Sequence, residues 1–222
     1  VYEGVWTQEN LYPNSEDLTD ATTIKTNVTI VPAGLTPDGY NAFEVIENTV
    51  QSLHQFYANN TKGTVGPGEL QRLSLLVKRG VGARYVHCRT TGHYLSYYGW
   101  FGFNFDNGLI TQSSYLYDTS VDTLDDGWFR LNFSTKSADS AVGLLLQISD
   151  SITNLGSYTV SGRAHQGDGV SSILVGECSS VRITNYPFDQ IISGYAPTGA
   201  GYVGRQAFYT LPDGTKLRPT SI

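Results

Sequence analysis

The sequence predicts an all-β protein, an antiparallel sandwich or barrel, and three observations lead there. Charged residues make up only 15% of the 222 residues, hydrophobic ones 40%, and glycine occurs 24 times. That balance suits short strands and tight turns better than helices with charged outer faces. Apolar and polar residues also alternate with period two, as where Phe129, Leu131 and Phe133 interleave with Trp128, Arg130, Asn132 and Ser134, the pattern of a strand with one buried face. Between such segments stand turn signals, among them Pro37-Asp38-Gly39, Asp106-Asn107-Gly108 and Asp125-Asp126-Gly127, whose glycines supply the positive φ of tight corners.

Taken in order, residues 1–23 lack periodicity, carry Pro13, Asn14 and several acids, and read as an irregular lead-in. Strand segments follow at 24–31, 42–47, 53–57, 70–78, 84–90, 100–105, 109–117, 128–134, 142–149, 172–177 and 181–184. The run Val142-Gly143-Leu144-Leu145-Leu146-Gln147-Ile148 is the most continuously apolar and predicts a central strand covered on both faces. Beyond 185, Pro187, Pro197, Pro212 and Pro219 mix with Gly194, Gly199, Gly201 and Gly204, so the end reads as a loose tail. The expected division is a lead-in at 1–23, a sandwich at 24–192 and a tail at 193–222 that is a candidate subunit contact.

A formal net charge of -6 and the lack of any run of five basic residues argue against nucleic acid as a partner. No apolar stretch approaches the roughly 20 residues a membrane helix needs, and no basic leader precedes an apolar segment, so no membrane partner is expected. With Val1 first and no methionine, the chain reads as processed or as a piece of something longer. Cys88 and Cys178 leave two readings open, a disulfide and a pair of buried free thiols. The thiols are favoured because two cysteines make no framework, and neither has a second Cys nearby to share a metal.

A series of motifs runs in order across residues 10–198. It opens with Asn10-Leu11-Tyr12-Pro13-Asn14-Ser15-Glu16-Asp17-Leu18, then 33–39 with its Pro-Asp-Gly turn and Phe43-Glu44-Val45-Ile46-Glu47. Leu73-Ser74-Leu75-Leu76-Val77-Lys78, Phe105-Asp106 with Gly108 and Thr111, and Asp125-Asp126-Gly127-Trp128-Phe129-Arg130 come next. Gly167-Asp168-Gly169-Val170-Ser171-Ser172-Ile173 leads into Gly176-Glu177, and Tyr195-Ala196-Pro197-Thr198 closes the series. In this the chain resembles the carbohydrate-binding-module-like jelly-roll domains of tailed-bacteriophage structural proteins: tail fibres, receptor-binding proteins and head fibres or decorations. The resemblance implies a jelly-roll sandwich displayed outside a virion. The chain departs from the pattern at 179–190 and from Gly199 onward.

The densest aromatic cluster is Tyr94, Tyr97, Tyr98, Trp100, Phe101, Phe103 and Phe105. Exposed rings of this kind lie beneath the apolar faces of sugars, with amides and carboxylates fixing the hydroxyls. Neighbouring rings on a strand point to opposite sides, so about half of these belong to the core. The candidate carbohydrate-binding residues are His93, Tyr97, Tyr98 and Trp100, joined by Tyr115 and Tyr117, which share a strand face, with Gln112 as a nearby amide. Trp128 is expected in the core. Glu16, Asp17 and Asp168 are the candidate ligands for a structural calcium, which needs six or more oxygens from several loops, although Asp-Gly turns also arise from backbone preference alone.

No catalytic role is expected. The chain lacks Glu-x-Asp-x-Glu, Gly-x-Ser-x-Gly, His-Glu-x-x-His and a Gln-x-His strand paired with a Tyr-Lys-rich one. Its four histidines, His54, His87, His93 and His165, are scattered, with His93, Arg89 and Tyr115 the set that folding would have to gather for proton transfer. Asn27, Asn59 and Asn132 begin Asn-x-Ser/Thr sequons, which matter only in a eukaryotic secretory route. The expected function is an external tail-fibre or head-fibre module on the virion exterior, a homo-oligomer with a trimer favoured. Its expected partners are host surface polysaccharide and other virion proteins. The alternative is capsid decoration without glycan binding, and a more distant one is a secreted carbohydrate-active enzyme or its accessory domain.

Overall fold

Two six-stranded antiparallel sheets face each other across one apolar core, the antiparallel sandwich the alternation predicts. The computed structural model describes residues 7–8, 10–12, 14–58, 70–82, 84–91, 99–114, 116–136, 143–151, 164–182, 205–206, 209–210 and 216–217. In chain order the strands are β1 (Thr7–Gln8), β2 (Thr23–Thr26), β3 (Val28–Leu35), β4 (Asn41–Glu47), β5 (Gln51–Ser52), β6 (His54–Ala58), β7 (Leu70–Arg79), β8 (Tyr85–Thr91) and β9 (Trp100–Asn104). There follow β10 (Leu109–Ser114), β11 (Tyr117–Thr123), β12 (Trp128–Lys136), β13 (Gly143–Ser149), β14 (His165–Gln166), β15 (Ser172–Arg182), β16 (Arg205–Gln206), β17 (Tyr209–Thr210) and β18 (Lys216–Leu217). Sheet I runs β10-β9-β8-β13-β6-β2 and sheet II runs β11-β12-β7-β15-β4-β3.

The core is built by the inward residues of both sheets. Phe56, Val86, Cys88, Phe101, Phe103, Leu144, Leu146 and Ile148 come from sheet I, and Phe43, Val45, Leu73, Leu75, Val77, Leu131, Phe133, Ile173 and Val175 from sheet II. Phe101 meets Phe133 edge-on across the interface at 4.9 Å between ring centroids, a favoured aromatic geometry. As its apolar run predicts, β13 is central, lying between β8 and β6 with Leu145 and Gln147 buried on one face and Leu144, Leu146 and Ile148 on the other.

Four departures from the sequence reading have local causes. The segment 24–31 is two strands: Asn27 takes φ 56° and turns the chain from sheet I into sheet II, its Nδ2 donating to the Leu53 carbonyl at 2.9 Å. The segment 109–117 ends at Ser114, and Tyr117 instead opens an edge strand of the opposite sheet. The segment 172–177 and the described start of 181–184 are one strand, β15, which runs to Arg182 and carries a bulge between Gly176 and Ser179 with Glu177 at φ 50°. The described part of the lead-in reaches into the core, where Tyr12 and Leu18 are fully buried. Asn10 holds it there by donating Nδ2 to the Cys178 carbonyl at 3.1 Å and accepting the Ser180 N–H at 2.9 Å.

Trp128 is buried as expected but not among the inter-sheet residues. It joins Leu76 and Ala42 in a small cluster on the other side of sheet II. Cys88 and Cys178 are both free and buried in the core. Burial pushes the Cys178 thiol up to about 12.

Candidate functional site: the outer face of sheet I

Because Val86, Cys88, Phe101 and Phe103 point into the core, alternation turns their neighbours His87, Arg89, Trp100 and Gly102 to the outer face of sheet I. Register lines these up in two transverse rows. Ile24, Tyr57, Leu145, Arg89, Trp100 and Ser114 form one; Thr26, Gln55, Gln147, His87, Gly102 and Gln112 form the next. Trp100 therefore sits directly across from Arg89, at the cross-strand spacing where side chains interact. Gly102 contributes no side chain between His87 and Gln112. Trp100, Arg89, Tyr57 and Gln55 are half-buried, whereas Gln147 at 0% and His87 at 2% exposure are enclosed although they point away from the core.

Thr90 fixes where Trp100 emerges. Its N–H donates to the Gly99 carbonyl at 2.8 Å, and its hydroxyl accepts the Gly99 N–H at 2.9 Å. This clamp joins the end of β8 to the start of β9 beside Trp100. His93, Tyr97, Tyr98 and Tyr115 lie outside the described residues. Tyr117 does not share a sheet with Trp100, since it pairs with Ser134 in sheet II. The division of the aromatic cluster is as expected where it is described: Phe101, Phe103 and Phe105 pack inward, and Trp100 faces out.

The opposite end of the sandwich holds an acid–base cluster that sequence spacing does not reveal. Glu47, fully buried, accepts from Arg84 Nη2 at 2.6 Å and Nε at 3.0 Å, from His165 Nε2 at 2.9 Å and from the Asp168 N–H at 2.9 Å. Burial pushes the Glu47 carboxyl up, but Arg84, His165 and the Asp168 amide together outweigh it and leave it below its ordinary value. Two of the four histidines read as scattered are here paired, His54 and His165 lying 4.5 Å apart between ring centroids. His54 places Nδ1 2.9 Å from the Asn27 carbonyl and Nε2 3.3 Å from that of His165. With four donors on its two oxygens, Glu47 is a structural anchor, not an exposed base.

A second buried acid lies on sheet II. Glu177 accepts from Thr36 Oγ1 at 2.5 Å and Arg130 Nη2 at 2.8 Å, and the same Nη2 reaches Asp38 at 2.7 Å. Burial raises the Glu177 carboxyl above its ordinary value against the pull of Thr36 and Arg130. The arrangement ties the β15 bulge to the turn between β3 and β4.

Glu16, Asp17 and Asp168 are not brought together. Asn41, at the start of β4, donates to the Glu16 carbonyl, while Asp168 packs against Glu47 at the other end of that strand, about 20 Å away at ~3.3 Å per residue. Asp168 is occupied by its own turn: Oδ1 accepts from the Val170 and Ser171 N–H groups and Oδ2 from Ser171 Oγ. These bonds hold its carboxyl well below the usual carboxylate range. Among the described residues, no three His, Cys, Asp or Glu side chains converge to hold a metal, so the expected calcium ligands do not fit a cation site. Two sequons are likewise engaged: Asn27 as above, and buried Asn132, whose Nδ2 donates to Asp122 at 3.0 Å.

The edge strands β10 and β11 flank an open groove of about 640 Å³ with Phe105, Ile110, Val121 and Phe129 in its lining. Its acid, Asp106, is engaged by Arg79.

No family model and no curated protein matches the chain. Among solved structures it is similar, at 11% identity and a TM-score of 0.41, to the CBM22-1–GH10 modules of Clostridium thermocellum endo-1,4-β-D-xylanase 10B complexed with xylohexaose, over 86% of this chain and 31% of that one. It is similar at 11% identity and 0.44 to the enzymatically active domain of bacteriophage CBA120 tailspike protein 4, over 78% and 21%. A CBM22-1 xylan-binding domain from Paenibacillus barcinonensis is matched at 11% identity and 0.42, over 84% of this chain and 100% of that domain. The chain thus spans about a third and a fifth of the first two.

Proposed function

We propose that this chain is a glycan-binding module of an external virion appendage, a tail fibre or head fibre, that contacts host surface polysaccharide without turning it over. The observation that carries the binding reading is the half-buried Arg89–Trp100 cross-strand pair, with the half-buried amide of Gln55 in the next row. A ring to carry the apolar face of a sugar, with an amide and a guanidinium to fix its hydroxyls, is the chemistry such ligands require. The virion setting rests on the ordered motifs between residues 10 and 198. A trimer would multiply weak single-site binding through effective concentration.

The test is binding of the multivalently displayed chain to a glycan array and to host-cell polysaccharide. Wild type should bind, and Trp100→Ala should lose at least about tenfold in affinity while keeping its thermal midpoint. Absence of binding under avid display would remove the reading, and release of sugar products would replace it with an enzyme.

A second, architectural reading is favoured by one observation. Val50, Val81 and Val170 are all exposed on turns that are joined through Gly167 N–H to the Val50 carbonyl and Ser172 N–H to the Val81 carbonyl. Apolar residues gathered on three adjoining turns suit a contact with another virion protein, as a capsid decoration would need.

A further inference from the structure

The two sheets differ in where their carboxylates lie. Sheet II carries Glu44, Glu47, Asp118, Asp122 and Glu177 in its strands, beside Arg72, Lys78, Arg79, Arg130, Lys136 and Arg182. The six strands of sheet I contain no Asp or Glu at all; their ionisable cations and imidazoles are Lys25, His54, His87 and Arg89. In a chain with 20 acidic and 14 basic residues, the candidate binding face is thus built on the sheet that holds no carboxylate. Of the four, Lys25 is turned to the Thr19 and Asp20 carbonyls, and His54 points inward, where it meets His165 and the Asn27 carbonyl. His87 is enclosed beneath the outer face. Arg89 is the half-buried cation of that face, and its cross-strand neighbour is Trp100.

A neutral sugar gains nothing from this segregation, since carboxylates serve well as acceptors for its hydroxyls. An acidic sugar is different: any carboxylate on the face would repel it, and a half-desolvated guanidinium forms charge-assisted, two-pronged bonds with its carboxylate. We infer that the ligand of this face is an acidic polysaccharide, one bearing carboxylated sugar residues, with Arg89 engaging the carboxylate while Trp100 carries the ring. This rests on the glycan-binding reading above and specifies its ligand class.

The experiment measures binding of the displayed full chain to polygalacturonate, alginate, hyaluronan and polysialic acid, each beside its carboxyl-reduced neutral counterpart, at low and high salt. At least one acidic polymer should bind about tenfold or more tightly than its reduced form, with the preference shrinking as salt rises. Arg89→Gln should bring the ratio to about one by weakening the acidic form far more than the neutral one, and Arg89→Lys should keep part of the preference. Trp100→Ala should weaken both forms alike. Equal or weaker binding of every acidic polymer overturns the inference, as does a preference that survives Arg89→Gln in a variant with an unchanged thermal midpoint. If neutral glycans bind and acidic ones do not, the ligand class falls and the glycan-binding reading stands. If no glycan of either kind binds, both fall.

Discussion

Arg84 and Glu47 meet edge to edge, Nη2 to Oε1 at 2.6 Å and Nε to Oε2 at 3.0 Å, and so join the segment entering β8 of sheet I to the end of β4 in sheet II. A planar guanidinium matches a carboxylate in this two-pronged way where a lysine would not. Because Glu47 is fully buried, the pair locks one end of the sandwich.

Removing one partner leaves a buried charge without its main counterion. Arg84→Met should destabilise the fold by about 3 kcal/mol, the low end for breaking a buried pair, since His165 and the Asp168 amide still serve Glu47. Urea unfolding checks this; a loss below about 1 kcal/mol, the range of exposed pairs, would mean that the bond is not anchoring the fold.

The two buried glutamates should respond to pH in opposite senses. Glu47 is held below its ordinary 4.5, so its contribution is present above that pH and is lost as pH falls through the lowered value. Glu177 is raised above 4.5, so its contribution is present below that pH and is lost as pH rises through the raised value. Relative to wild type, Glu47→Gln should therefore look worse as pH rises from about 3 to 7, and Glu177→Gln should look better. Urea midpoints of the three proteins across that range measure both slopes, and parallel curves would contradict the assignment.

Asn10 supplies both a donor and an acceptor to β15 beside its bulge. Asn10→Ala would strand the Cys178 carbonyl and the Ser180 N–H in the interior, so a loss of about 2–3 kcal/mol is expected. An unchanged midpoint would show that the lead-in is dispensable.

Both thiols should be inert in the native state, since thiolate is the reactive form and both side chains are buried. An aromatic disulfide reagent should find two equivalents in denaturant and almost none before unfolding. Prompt reaction of either cysteine, or none in denaturant, would contradict the packing.

How far the sequence is legible depends on whether a feature is local. Alternation at Trp128 to Ser134 and the apolar run of β13 mark a face and a central position by themselves, and both are found. The switch at Asn27 hides inside an unbroken β-rich run, where only an asparagine tolerant of positive φ hints at a corner. Edge strand β11, Tyr117-Asp118-Thr119-Ser120-Val121-Asp122-Thr123, is too polar to register as a strand. The Glu47–His165 and Asn10–Ser180 pairings join residues 118 and 170 positions apart, a separation that no spacing rule spans. At the candidate site, Trp100 is readable as an aromatic in an alternating strand, but its partnership with Arg89 depends on register, which becomes visible only once the sheet is assembled.

The most direct measurement is amide chemical-shift mapping by NMR during titration with whichever polysaccharide the array identifies. Shifts concentrated on β8, β9, β10 and β13, largest around Arg89 and Trp100, are the expected result. Shifts gathered on sheet II, or at the valine-bearing turns with sheet I silent, would contradict a glycan-binding outer face on sheet I.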